Sequence, residues 1–362
     1  MLHNIRQYVP VLTVSKKPKL SKNQQRQIAK NRSKRLAAKD NRQSDKAEDT
    51  SSLGELTNGR VISRFGKQAI VETASADRTQ HKCYIRRTIK SVVCGDNVVF
   101  RPSTTEEERD RGIIEVVIDR KSELSRPDYY DGLKPIAANI DQIIVVGSIV
   151  PALSTHIIDR YLVACEHAKI SPIVVINKVE LLTPDLLVQV EKDLAIYTQI
   201  GYRVILASCV SQEGLDELTT VLKDKVNVLV GQSGVGKSSL INQLLPDSQE
   251  VVGEVSGNSG LGQHTTTAAK LIPFSLGGEL IDSPGVREFG LWHLPVQDIT
   301  QGFIEFREYL GGCKFSDCTH RNDPGCLIRE AVDTHKINSE RYQSYLKIVD
   351  SLDQNRPAYI KE

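Results

Sequence analysis

The sequence predicts a chain of several domains: a small N-terminal β-barrel, a central α/β unit on a parallel sheet, and a C-terminal helical module around a Cys/His cluster. Three observations predict it. Residues 231–238 read Gly-Gln-Ser-Gly-Val-Gly-Lys-Ser, the GxxxxGK[ST] phosphate-loop pattern, set between an apolar run and a helical one. Strand-like and helical stretches alternate between about 141 and 290, as in sheets covered by helices. Cys313, Cys318, His320 and Cys326 fall within fourteen residues.

Residues 1–55 come first and lack a packable core. Residues 1–48 hold 13 of the 47 Lys and Arg and only 3 of the 45 Asp and Glu, so they carry about +10 and the rest about −8. Ser21 can cap a helix through Lys39, but Leu20, Ile28 and Leu36 are too sparse to hold it against a body. The expectation is a basic flexible arm that orders on a polyanion such as RNA. A merely solvated tail and a basic targeting segment remain the alternatives.

Residues 56–120 read as short β runs: Arg60–Phe65, Gln68–Thr73, Lys82–Arg86, Asn97–Arg101 and Gly112–Ile118, with turns at Gly66 and Gly95-Asp96. Five short strands in so short a span predict an OB-type barrel. Arg60, Arg64, Lys82, Arg86, Arg87 and Lys90 can line a nucleic-acid face, or form only the solvated side of the strands.

Residues 121–292 hold the parallel-sheet pattern. Gln142–Val146, Ile173–Ile176, Arg203–Leu206, Asn227–Val230 and Glu279–Ile281 are the strands, and His156–Ala168 and Pro184–Thr198 are helical. In the phosphate loop, Gly231, Gln232, Ser233, Gly234, Val235 and Gly236 present backbone N–H groups to phosphate oxygens at a helix start. Lys237 is placed to reach the β- and γ-phosphates, Ser238 to bind Mg²⁺, and Ser239 to support the α-phosphate. Asp282-Ser283-Pro284-Gly285 has the DxxG form, with Asp282 holding Mg²⁺ through water and the Gly285 N–H meeting the γ-phosphate. Between these motifs, Gly260–Thr267 is a Gly/Thr-rich loop able to order around the γ-phosphate. One of its threonines is expected on the metal, with Thr266 taken as the candidate.

The base-reading candidates come before the phosphate loop rather than after it. Asn177-Lys178-Val179-Glu180 follows an apolar strand, where an α/β sheet places ligand loops. Ala207-Ser208-Cys209 follows the next one, in the position of a loop that meets guanine O6. Each is weak alone; together they form one rotated motif set. Glu180 stands where Asp is usual, keeping the acceptor pair on a side chain one methylene longer.

Residues 293–362 carry the Cys/His cluster, and Gly311-Gly312 and Pro324-Gly325 bend the chain around it. Three Cys and one His suit one closed, structural Zn²⁺. Cys83, Cys94, Cys165 and Cys209 are scattered and read as core or half-buried. An odd total of seven, with no secretory core and no membrane-length apolar run, predicts the reducing cytoplasm and no membrane partner. Farther on, Arg329, Lys336, Arg341 and Lys347 with Tyr342 and Tyr345 can meet rRNA or form an ordinary amphipathic helix.

Taken together, these segments resemble the circularly permuted ribosome small-subunit biogenesis GTPases of the RsgA/YjeQ family. The likeness runs over nearly the whole chain, through Ile85-Arg86-Arg87-Thr88, Asn177-Lys178, Gly231–Ser239, His264-Thr265-Thr266 and Asp282–Gly285. It implies an N-terminal OB-like β-barrel, a central circularly permuted α/β P-loop GTPase and a C-terminal zinc-binding helical module. It further implies slow hydrolysis of GTP to GDP and phosphate, stimulated by the small ribosomal subunit and its rRNA during late maturation, in a monomer using Mg²⁺ with GTP. Val286 replaces the water-orienting Gln of Ras-like enzymes, which predicts low intrinsic turnover. The resemblance offers His264 for that water, against a solvent-facing or rRNA-contacting role; Gln263 precedes it where the family usually has Arg. The other functions weighed are a nucleotide-independent rRNA-binding protein and, should Glu180 relax base choice, an ATP-using hydrolase.

Overall fold

The computed structural model describes residues 53–75, 77–104, 112–128, 132–245, 269–274, 277–282, 291 and 294–355. The basic arm, the Gly/Thr-rich loop with Thr266 and His264, and Gly285 lie outside them.

Strands β1 (Thr57–Phe65), β2 (Gln68–Thr73), β3 (Gln80–Ile85), β4 (Asn97–Arg101) and β5 (Gly112–Val117) form a closed barrel. Their order is β1-β2-β3-β5-β4 and back to β1, with only β3 and β5 parallel. Alternation decides the inside: Val61, Ala69, Val71, Cys83, Val98, Phe100 and Ile114 are wholly buried. A bulge between Val61 and Ser63 shifts the register of β1 against β2. Val61 points into the barrel, and its neighbour Ile62, on the opposite face, packs into the core of the α/β unit.

A hairpin, β6 (Glu123–Asp128) and β7 (Gly132–Ala138), leads from the barrel to the sheet. Gly95 makes this junction possible. It sits at φ 87°, and a β-carbon there would lie 2.2 Å from the Ala138 carbonyl oxygen. Buried Asp96 then takes two hydrogen bonds from Arg120, at 2.7 and 2.9 Å.

The sheet of the central unit runs β10 (Arg203–Leu206), β9 (Ser171–Asn177), β8 (Gln142–Ser148), β11 (Val226–Gly231), β13 (Glu279–Asp282), all parallel. Helices α1 (Thr155–Ala168), α2 (Pro184–Gln199) and α3 (Leu215–Leu222) connect β8 to β11, and α4 (Lys237–Leu244) follows β11. Along β8, Ile143 and Val145 face one hydrophobic cluster, Ile144 and Val146 the other, so both faces are covered. Thr183 caps α2 by accepting the Leu186 N–H, and Pro184 starts it.

Beyond β13 the sheet does not end. β12 (Lys270–Pro273) pairs antiparallel with β13 on one side and with barrel strand β1 on the other, at Ser63 and Lys270. Barrel and nucleotide sheet are one eleven-stranded sheet with a shared core, in which Ile62 and Cys94 of the barrel join Val145, Val230 and Ile281.

The C-terminal module packs α5 (Val296–Gly302), a short 3-10 helix (Ile304–Tyr309), α6 (Leu327–Asp333) and α7 (Ser339–Asn355) against α1. Arg341, Tyr342 and Tyr345 of α7 are 2, 8 and 0 % exposed, so they are packing residues rather than an RNA face. Tyr345 meets Phe303 and Phe306 edge-on. The Arg341 guanidinium lies over Phe303 and bonds Asp159 of α1 and Glu305, at 2.5 and 2.7 Å. Burial opposes its charge, yet the two carboxylates hold Arg341 protonated above its usual range.

Candidate nucleotide and metal sites

Four strand ends gather at the carboxyl edge of the parallel sheet. Asn177 ends β9, Ala207-Ser208 follows β10, Gly231 ends β11 and Asp282 ends β13. Motifs far apart in the chain therefore meet where such sheets bind ligands.

The phosphate loop turns directly from β11 into α4. Its first helical N–H groups have no side-chain cap, and no acidic residue stands in the first turn. Free N–H groups and the positive end of a helix together favour an anion. Lys237 curls over the loop, donating to the Gly231 carbonyl at 2.8 Å. Ser238 and Ser239 are exposed at its mouth.

The base-reading segment is braced against this loop. Asn177 is 2 % exposed and donates from Nδ2 to the Val235 carbonyl at 2.9 Å. Its Oδ1 is buried with no hydrogen-bond partner, an acceptor awaiting a donor. Gly236 must be glycine here, since at φ 93° its β-carbon would lie 2.2 Å from Asn177 Nδ2. Lys178 donates to Gly234 and Val150 carbonyls at 2.7 and 2.6 Å. The Val150-Pro151 turn is a neighbour that the motifs did not reveal; its one signal is its place after a central strand.

Glu180 is exposed in the short 3-10 turn Val179–Leu181, which leaves its carboxylate open to solvent and ligand. The Val179 N–H joins the Ala207 carbonyl at 3.3 Å, linking the two base-side loops. Ser208 is wholly buried, and its hydroxyl accepts from the Val210 and Ser211 N–H groups. It shapes the loop through its side chain, while the Ala207 and Ser208 N–H groups are given to the Ile176 and Glu213 carbonyls at 2.8 and 3.0 Å. Burial and the nearby Glu180 charge push the Cys209 thiol up, so it is a poor nucleophile. Cys83, Cys94 and Cys165 are buried, with Cys83 pushed up to about 12 by burial.

Three of the six basic residues named for the barrel face are engaged within the protein. Arg60 pairs with Glu279, Arg86 with Glu115, and Arg64 donates to the Val92 carbonyl at 2.9 Å.

In the C-terminal module the ligand atoms of Cys313, Cys318, His320 and Cys326 all lie within 4.8 Å of one another. His320 Nδ1 is 3.7 Å from the Cys313 sulfur and 3.5 Å from that of Cys326. Three thiols and an imidazole edge converging this closely fit a tetrahedral metal ion. His320 adopts φ 61°, and the Tyr342 hydroxyl secures its carbonyl at 2.7 Å. Among the described residues, no helix is long and apolar enough to cross a membrane.

The family model for the RsgA GTPase matches residues 117–292. The chain is 55% identical over 342 residues to the small ribosomal subunit biogenesis GTPase RsgA of Proteus mirabilis, covering 93% of this chain and 96% of that one. The protein of that name from Photorhabdus laumondii is 54% identical, covering 94% and 97%. Among solved structures, YjeQ from Thermotoga maritima superposes with a TM-score of 0.68 at 32% identity, covering 83% of this chain and 100% of that one. YloQ, described as a circularly permuted GTPase, superposes at 0.67 and 29% identity, covering 84% and 98%.

Proposed function

The chain belongs to the RsgA GTPase family, and on that footing we propose that it hydrolyses GTP to GDP and phosphate while assisting maturation of the small ribosomal subunit. The observation that carries this reading is the brace from Asn177 to Val235, which joins a base-side loop to a phosphate loop. A segment for one end of a nucleotide is thereby fixed relative to a segment for the other.

In this reading the α4 N-terminus and loop N–H groups hold the phosphates, with Lys237 drawing charge from the β- and γ-oxygens as it develops. Asn177, Lys178, Val179, Glu180, Ala207 and Ser208 bind guanine, Glu180 accepting from its ring N–H and amino groups. Ser238, in the first turn of α4, and Asp282, at the end of β13, are the described residues suited to Mg²⁺, with Thr266 a third from the loop. Bound with GTP, that ion neutralises phosphate charge. The Gly285 N–H is assigned to the γ-phosphate, and His264 to orienting the attacking water. The working division is an arm at 1–55, an RNA-binding barrel at 56–120, the GTPase at 121–292 and the metal module at 293–362. The protein acts as a monomer in the cytoplasm, meeting rRNA through arm, barrel and metal module.

GTP turnover with and without purified small subunits tests this. Marked stimulation at low salt is expected, because a basic arm binds polyanions best there. Absence of stimulation would remove the ribosomal reading, and equal displacement of labelled GTP by ATP would remove guanine selectivity.

The Cys/His cluster is proposed to hold one structural zinc ion. Chelation is expected to release about one zinc per chain and to lower the stability of the C-terminal module by several kcal/mol, since structural zinc contributes folding energy directly. Metal content and protease sensitivity of residues 294–355 check it. A parent chain that carries no zinc would remove the assignment, and a Cys318→Ser chain that holds no zinc yet resists protease like the parent would remove the structural role.

A further inference from the structure

Glu279 opens β13 three residues before Asp282, and two barrel arginines hold its carboxylate. Arg60 Nη1 bonds Oε2, and Arg78 Nη2 lies 3.0 Å from Oε1. Arg78 also reaches Glu72 of β2 at 2.8 Å, opposite Arg60 in the barrel ladder. The Arg60 and Glu279 side chains are only 25 and 15 % exposed, so solvent screens them less than an ordinary surface pair. The backbone of Glu279 belongs to the other side. Its carbonyl accepts from Asn227 Nδ2 at 3.0 Å, and its N–H donates to the Lys225 carbonyl at 2.8 Å. One residue is thus held by barrel side chains and by the nucleotide sheet's main chain.

The rest of β13 leans toward the barrel as well. Its ladder with β11 covers only Glu279 and Leu280. The end bearing Asp282 pairs with Lys270 of β12, and Lys270 pairs with Ser63 of β1. A β-carbon on Gly95 of the barrel would lie 3.3 Å from the Ile281 side chain. A displacement of the barrel therefore reaches Asp282 through paired backbone and through the Glu279 carboxylate.

We propose that Glu279, held by Arg60 and Arg78, is a positioning residue for stimulated GTP hydrolysis: it makes β13, with Asp282 at its end, follow the barrel when RNA loads it. This rests on the reading that the small subunit stimulates turnover. The two arginines connect binding on the barrel to the strand that carries the metal-side carboxylate, without touching nucleotide themselves.

The test uses the full chain, purified small subunits and GTP. Glu279→Ala is expected to keep basal turnover and subunit co-sedimentation within about twofold of the parent, and to lose roughly tenfold in kcat at saturating subunit. Exchanging the charges, Arg60→Glu with Glu279→Arg, is expected to recover only part of that loss, because the new arginine restores the pair with position 60 but faces Arg78. A Glu279→Ala chain stimulated as strongly as the parent overturns the proposal. So does one that also loses basal turnover and is not rescued by the exchange, because the residue is then merely structural. A parent chain that the subunit fails to stimulate overturns the ribosomal reading and takes this proposal with it.

Discussion

Lys237→Ala is expected to lower GTP turnover by roughly 10²–10³, the usual loss when one donor to a developing anion is removed. Its ammonium sits over the loop that α4 opens, held by the Gly231 carbonyl at 2.8 Å. Bound phosphate oxygens would compete for those hydrogens, and the loop N–H groups alone would then carry the charge. The side chain is only half-buried and lies outside the hydrophobic clusters, so the fold should survive. Single-turnover hydrolysis, titration with a fluorescent GTP analogue and circular dichroism separate these effects. Undiminished hydrolysis would mean that chemistry occurs elsewhere.

The second large effect is on stability. Asp159→Ala is expected to cost about 3–5 kcal/mol, because it strips a buried charge of a partner. Arg341 would keep Glu305 but lose Asp159, to which both it and the Tyr197 hydroxyl donate. The guanidinium has no route to water at 2 % exposure. Arg341→Met in the same chain should not restore the loss, since it strips Glu305, 8 % exposed, of the guanidinium that donates to it. Thermal unfolding of the single and double variants measures this. Equal melting of Asp159→Ala and the parent would show that the pair contributes nothing. As α1 carries Asp159 and α7 carries Arg341, the damage should fall on the contact between the C-terminal module and the sheet.

The motifs with local chemistry were legible in the sequence. The phosphate loop announces itself through Gly231–Ser238 and its flanking strand and helix, and the Cys/His cluster through spacing. The strands Gln68–Thr73, Asn97–Arg101 and Arg203–Leu206 match residue for residue. Other features were not legible, for physical reasons. The β6–β7 hairpin carries Pro127 and Pro135, which weaken any strand signal. β12 is four residues long and ends in Pro273, too short for a period. Arg60 alternates outward from the barrel as its pattern demands, but alternation names a face and not what covers it. Here the cover is Glu279, two hundred residues away in sequence. Likewise Arg341, Tyr342 and Tyr345 have the composition of an RNA-binding stripe, and only tertiary packing shows them facing α1 and the metal loop. The left-handed backbone of Lys178, which starts the turn bearing Glu180, also has no signal in residue type.

The eleven-stranded sheet has a bearing on solubility. An open sheet ends in two strands with unpaired backbone, each a template for another chain. Among the described strands, this sheet ends openly only at β10, four residues long and bearing the exposed Arg203. Its other end rolls up, since β4 returns to β1. The barrel is an end-stop for the nucleotide sheet. A chain cut between the two would bare β12 and the Ser63 end of β1 and uncover Ile62, leaving two sticky halves in place of two domains.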